Sequence, residues 1–420
     1  MFRKLLSLEE ARRTIRRHFE PKPLGTEEVS LLEAYNRVLA KSVVAALDVP
    51  PFDRATVDGY AVRAEDTFGA EENKPLKLVI CGSVGIGEMP HVKVAKGTAA
   101  EIVTGAPMPG GADAVVMAED TERKGNNASV SAAVAKAENV MKAGSDIRKG
   151  GTVLRAGQVL GSREVGVLAA VGLAKTNVYR VPQVAILSTG GEVTEPGKKL
   201  PEGKIYDTNA YSLGTAIWEC AGKPIFTGVF PDERVELEKA LRQALALADV
   251  VVTSGGVSVG PKDIMPRIVG SLGRPGVVVS GIAIKPGKPT TVAIADGKPI
   301  FSLPGHPASA LLVFHLLAKP IISAMAGREE PEGLRVKAIA GMRMFPAKGR
   351  RTFVMVRLRR EKSGELMADP VESGGSGAIT MLAKADGFVE VAENVQFVDA
   401  GETVTVRLFR NLVEGGFLAF

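Results

Sequence analysis

The chain has 420 residues, more than one hydrophobic core of ordinary size accommodates, which predicts two to four domains. Hydrophobic residues at 45% and charged residues at 24% give the balance of a folded chain and exclude extended disorder. The net charge of +6 is a diluted excess of 53 basic over 47 acidic residues, and aromatics are only 5%, which argues against general nucleic-acid binding and leaves local basic pockets for small anions.

Along the chain, Ser7 and Glu10 form an S-x-x-E capping box ahead of a helical stripe of Leu8, Ala11 and Ile15, so the basic start reads as a first structural helix rather than a presequence. The stretch TEEVSLLEAYNRVLA, 26–40, predicts a second helix with Thr26 as N-cap, and Pro50 and Pro51 break the pattern. From about 75 to 140, the runs KLVICGSV, AAEIVTG and AVVMAED between Gly and Pro clusters predict a small β-rich domain. A helix over 162–172, closed by Gly172, leads into a compact α/β unit.

That unit has predicted strands at 183–189, 223–230, 249–254 and 289–295, and helices in TNAYSLGTAIWECAG, ERVELEKALRQALALA and PASALLVFHLLAK. Alternation of strands and helices implies a mostly parallel sheet covered on both faces. In TFVMVRLRR and TVTVRLF the apolar period drops to two, so 331–420 is expected to be a separate all-β domain. The apolar stretch ASALLVFHLLAKPII carries His315, Lys319 and Pro320 and is short for a membrane span, and no membrane association is expected. Cys81 and Cys220 stand far apart without metal-ligand spacing, which excludes a disulfide framework or zinc site and agrees with a cytoplasmic setting.

Ligands of open α/β sheets sit beyond the carboxyl ends of the strands. Three unusual loops fall there: STGGE with Thr189, Gly190 and Glu192; SGGVSVGPKD with Ser254, Gly255, Gly256, Ser258 and Asp263; and LPGHPAS with Pro304, Pro307 and Ser309. Glycine lets a run of backbone N–H groups face an anion, so together the loops point to a phosphorylated ligand, although no Walker or G-x-G-x-x-G pattern is present. Lys285 and Lys288 flank the Pro-Gly turn of IKPGKP and suit a tetrahedral oxyanion, while the carboxylates Glu192, Asp232 and Asp263 suit Mg²⁺ beside a phosphate. The segment GVSVG also matches G-x-S-x-G, with Ser258, Asp263 and His306 in triad order, and gives a serine-hydrolase alternative. Pro261 and the closeness of Asp263 disfavour it, and His306 is read instead as a hydrogen-bond donor at a helix start.

The segments PPFDRATVDGYAV, IVTGAPMPGGADAVVMAED, AGSDIRKGG, LSTGGEV, GKIYDTNAYSL, TSGGVSVGPKD, IKPGKP and LPGHPAS occur in order over nearly the whole chain. They resemble the molybdopterin molybdenumtransferase family, the bacterial MoeA proteins and the E domain of gephyrin. The resemblance implies a discontinuous elongated domain (1–45 and 143–180), an inserted β-rich lid (46–142), an α/β molybdopterin-binding domain (181–330) and a C-terminal β-barrel-like domain (331–420). It implies a homodimer that inserts molybdate into adenylated molybdopterin with Mg²⁺-dependent release of AMP. Its expected partners are a molybdopterin adenylyltransferase as substrate donor and apo-molybdoenzymes or their chaperones.

Carried over by motif, Asp58 becomes a lid-side acid with Thr104 its neighbour across the cleft. Asp146, Glu192, Asp232 and Asp263 surround metal and pyrophosphate, and Lys285, Lys288, Ser309, Arg350 and Ser376 form the molybdate site. The sequence departs from the family at Thr56 and Val57, at Gly191 in place of an acid, and at His306 in place of a frequent Asn. A non-catalytic binding or scaffold relative is the remaining alternative. It is weakened because this chain has neither the adenylating domain nor the long linker of gephyrin.

Overall fold

In a computed structural model of the chain, residues 5–257, 264–329, 335–371 and 379–409 are described. They divide into two compact units, one of Met1–Glu27, Asn36–Ala40 and Asn177–Phe420, the other of Glu28–Tyr35 and Lys41–Thr176.

The second unit is built on a six-stranded sheet in the order Ala114–Met117, Gly59–Val62, Thr98–Ile102, Leu76–Val84, Asn127–Val130, Thr121–Lys124. Both faces carry apolar side chains, with Tyr60, Val62 and Val116 in one cluster and Ala61, Ile102 and Val115 in the other, as the two-residue period of a strand requires. The helix Ser162–Ala170 forms as expected and is closed by Gly172 at φ +82.

The predicted helix over 26–40 does not form. Thr26–Ser30 is a strand, after which the Glu33 carboxylate accepts from both the Ser30 backbone N–H (3.1 Å) and hydroxyl (2.6 Å). This local Ser-x-x-Glu closure nucleates a turn in the middle of the predicted helix, and Asn36 ends it in the left-handed region at φ 59.

In the other unit the sheet order is Lys223–Phe230, Gln183–Thr189, Val250–Ser254, Lys298–Leu303, Thr291–Ala295, Pro275–Ser280. The first four strands are parallel; the last two join by antiparallel pairing. The sheet is thus mostly parallel, but the strand expected at 289–295 runs against its neighbour. Asp296 (φ 49) and Gly297 (φ 84) make a two-residue hairpin turn between them, a signal the sequence carried. Val184 and Ile186 face the helices Asn209–Glu219 and Pro307–Met325, whereas Ala185 and Leu187 face Arg234–Leu247 and Met265–Ser271.

The run Pro307–Met325 is long and apolar enough to cross a membrane, yet 78% of it is buried inside this unit. Pro320 has no N–H for the Leu316 carbonyl, and the Arg12 guanidinium of the first helix fills that vacancy at 3.2 Å. The first helix, capped by Ser7 and Glu10 as expected, buries Leu8, Ala11 and Ile15 in the same core.

Beyond residue 334, five strands (Arg335–Ala340, Arg351–Arg360, Leu366–Pro370, Gly387–Val391 and Thr403–Leu408) close into a barrel, because Arg351–Arg360 pairs with both Leu366–Pro370 and Gly387–Val391. The segment is not purely β: the helix Ile379–Lys384 lies within it. Phe353, Met355, Met381 and Phe388 share the core of the α/β part.

Candidate functional site

The chain runs from Gln183–Thr189 outward to Lys223–Phe230 and returns on the opposite side at Val250–Ser254. The order therefore reverses between the strands ending at Thr189 and Ser254, and there two loops diverge and open a crevice. A cavity of about 680 Å³ lies at this point.

Three loops build it, and glycine geometry explains their sequences. Gly255 sits at φ +98, where a Cβ would stand 2.3 Å from the Thr189 carbonyl oxygen, so only glycine lets the two loops touch. Gly190 at φ +138 adopts a backbone conformation that other residues rarely take, and the Glu192 carboxylate folds back to within 2.7 Å of where its Cβ would stand. Gly305 brings the third loop against the backbone of Gly255. Thr189, Gly190, Glu192, Asp232, Ser254, Gly255, Gly256, Pro304 and Pro307 all line the cavity, as the sequence reading expected of them.

Glu192 and Asp232 face each other closely enough to interact. Burial first, and the Glu192 charge second, raise the Asp232 carboxyl above the usual range, partly opposed by the nearby Thr189 hydroxyl. Two adjacent carboxylates on a cavity wall are a fitting oxygen-donor pair for Mg²⁺. Among the described residues no group of three metal-ligating side chains forms, and Asp263, the third expected ligand, lies outside the described residues, as do Ser258 and Ser376.

Lys285, Lys288, Ser309 and Arg350 are not among the residues lining the cavity. Lys285 pairs in a two-residue strand with Thr352, so the IKPGKP turn and the GRRTF segment run side by side. Ser309 is buried in the helix after the third loop, and a Cβ at Gly287 would meet Val313 of that helix at 2.4 Å, which packs the lysine turn against it. The segments that carry four of the five expected oxyanion residues thus pack around one turn. His306 lines the cavity at the helix start, and its side chain makes no capping hydrogen bond.

Asp58, Thr104 and Asp146 belong to the other unit. Asp58 and Thr104 do not face each other across a cleft: one oxygen of Asp58 accepts from both the backbone N–H (2.7 Å) and the hydroxyl (2.8 Å) of Thr104. These bonds hold the Asp58 carboxyl below its ordinary range. Gly59 is obligatory beside it, since a Cβ at φ +155 would lie 1.9 Å from the Val116 oxygen. Asp146 is exposed, with its backbone N–H bonded to Val49.

The sequence reading missed Ser188, Asp207 and Asn209, which are buried and line the same cavity. The signal for the last two was the D-T-N triplet ahead of an apolar-periodic helix, a helix-start pattern. Asp207 indeed accepts from the Ala210 N–H at 3.0 Å.

Comparison with known proteins agrees over the length of the chain. Residues 6–172 match the MoeA N-terminal region (domain I and II), 185–324 a probable molybdopterin binding domain, and 337–409 the MoeA C-terminal region (domain IV). A molybdopterin molybdenumtransferase of Haemophilus influenzae is 34% identical, covering 97% of this chain and 100% of that protein. One of Bacillus subtilis is 34% identical over 94% of this chain and 92% of its own length. A crystal structure of the molybdopterin biosynthesis moea protein from Pyrococcus horikosii superposes with a TM-score of 0.81 at 42% identity, covering 97% of this chain and 100% of that one. With the crevice at the strand-order reversal, the closed C-terminal barrel and full-length similarity all in agreement, the chain belongs to the MoeA family of molybdopterin molybdenumtransferases.

Proposed function

We propose that this enzyme of molybdenum cofactor biosynthesis inserts molybdate into adenylated molybdopterin and releases AMP. The observation that carries this reading is the cavity at the strand-order reversal, where glycine backbone and two facing carboxylates lie together. Its size, about 680 Å³, suits a ligand larger than a free oxyanion.

Glycine loops let the phosphate link approach the backbone N–H groups of the Thr189 and Ser254 loops, which hold it without a flexible side chain. Glu192 and Asp232 would hold Mg²⁺, which when bound offsets phosphate charge. Burial and the Glu192 charge raise the Asp232 carboxyl, and a cation held between the two would favour its ionised form. Lys285, Lys288 and Arg350 supply fixed positive charge for the molybdate dianion. Asp58, kept ionised by Thr104, is the acid of the second unit assigned to the same reaction.

The protein is further proposed to act as a cytoplasmic homodimer that takes substrate from an adenylyltransferase and passes product to apo-molybdoenzymes. A monomer by sedimentation at micromolar concentration overturns that part. The test of the reaction is AMP release from adenylated molybdopterin with Mg²⁺, with molybdate present or withheld. Release that requires molybdate and yields active cofactor is expected, and no release under any condition removes the reading.

A further inference from the structure

One wall of the cavity holds more hydrogen-bonding capacity than the protein uses. Asn209, the first residue of its helix and 7% exposed, has two amide protons, and both are committed: Nδ2 donates to Ser254 Oγ at 2.7 Å and to the Gly305 carbonyl at 2.7 Å. A backbone carbonyl only accepts, so this bond fixes which end of the carboxamide points at Gly305. Oδ1 is left buried with no partner. The same holds for the hydroxyl of Ser188, 3% exposed, near the end of the strand Gln183–Thr189, whereas the adjacent Thr189 hydroxyl is engaged with Asp232.

Buried polar atoms without partners are uncommon, and two of them on one cavity, Asn209 Oδ1 and Ser188 Oγ, point to a ligand that completes them. Their chemistry is directional. Ser254, already accepting from Asn209, keeps its own proton to donate. Ser188 can donate as well. Asn209 Oδ1 can only accept, and the carboxylate of Asp207, 6% exposed, lines the cavity at the same helix start with Oδ1 held by Ala210 N–H.

A phosphate cannot satisfy this end of the cavity. It brings acceptors and negative charge to a carboxylate and an amide oxygen. The complement is a planar group with adjacent N–H donors and one carbonyl acceptor, which is the edge of a 2-amino-4-oxopyrimidine ring. Resting on the transferase reading of the same cavity, we propose that Asp207 and Asn209 recognise the aminopyrimidine edge of the ligand's heterocycle, while the Ser254 hydroxyl donates to its carbonyl. Asn209 then also acts as a positioning residue, since its nitrogen joins the Ser254 loop to the Gly305 loop.

The test uses the full chain and three probes: pterin, which has the 2-amino group; lumazine, which carries an oxygen there; and inorganic phosphate. Dissociation constants come from ligand fluorescence for the first two and from competition or calorimetry for the third. The wild type is expected to prefer pterin over lumazine by about tenfold or more, because a charge-assisted bond is lost and an acceptor is set against a carboxylate. Asp207→Asn, which keeps an acceptor for the Ala210 N–H, and Asn209→Ala each bring that ratio close to one and leave phosphate affinity unchanged.

An unchanged ratio in both variants overturns the proposal, as does a wild type without the preference. Should Asn209→Ala fail to fold, the wild-type ratio and Asp207→Asn decide the matter. AMP release is measured in parallel: turnover without a pterin preference removes this inference alone, and a pterin preference without turnover removes the transferase reading alone.

Discussion

Asp58 and Thr104 are joined twice, through the backbone N–H and the hydroxyl of the threonine to the same carboxylate oxygen. Residues 46 apart in sequence thus fix one exposed acid in its ionised form, on a strand start that only Gly59 permits. Both bonds favour the charged state, so removing the hydroxyl lets the pKa of Asp58 rise. Thr104→Val is expected to move the acidic limb of the AMP-release profile to higher pH, with the alkaline plateau less affected. Asp58→Asn is expected to lower kcat/KM by about a hundredfold or more at all pH values. A Thr104→Val profile that superposes on wild type refutes the coupling.

The paired carboxylates give a separate expectation. Glu192→Gln and Asp232→Asn should each raise the Mg²⁺ concentration needed for half-maximal AMP release by about tenfold or more, with melting temperatures near wild type. Gly191, where family members commonly carry an acid, is exposed and has open space at its Cβ position. Gly191→Asp is therefore expected to fold normally and to lower the Mg²⁺ requirement. Unaltered Mg²⁺ titrations in all three variants exclude the pair as ligands.

Loop contact at Gly255 is steric rather than chemical. Gly255→Ala places a methyl against the Thr189 carbonyl in a left-handed conformation, at a cost of about 1–3 kcal/mol in strain. Displacement of the loop follows, so AMP release is expected to fall while far-ultraviolet circular dichroism stays unchanged. Gly297→Ala, also left-handed but with open space around it, tests strain without the clash and is expected to leave activity near wild type.

His315 lies buried in the Pro307–Met325 run, where desolvation first, then Lys319 and Arg407, lowers its pKa to about 3. The unfolded chain binds this proton below the ordinary histidine value, about 6.5, and the folded chain does not. Stability is therefore complete above that value and falls by up to about 1.4 kcal/mol per pH unit as pH drops through the window down to about 3. His315→Leu is expected to flatten the acid side of the stability curve, measured by urea unfolding between pH 7 and 4.5. Parallel curves for the two proteins count against it.

The two-residue period of the β-rich segments, the helix and strand spacing of the α/β part and the glycines at strand ends were all legible in the chain. Each is a local pattern of side chains and turns that short-range physics imposes. So were the loops that meet at the cavity, because backbone geometry at Gly190 and Gly255 favours glycine. The predicted helix at 26–40 failed where a stronger local closure, Ser30 with Glu33, competed with a weak amphipathic pattern. What no local pattern determined is which buried polar atoms remain without partners. That Asn209 spends its donors on Ser254 and Gly305, and keeps an acceptor on the cavity wall, follows from segments 45 and 96 residues apart being packed against one helix start. Tertiary structure decided it, because burial and partner are properties of assembled surfaces and not of neighbours along the chain.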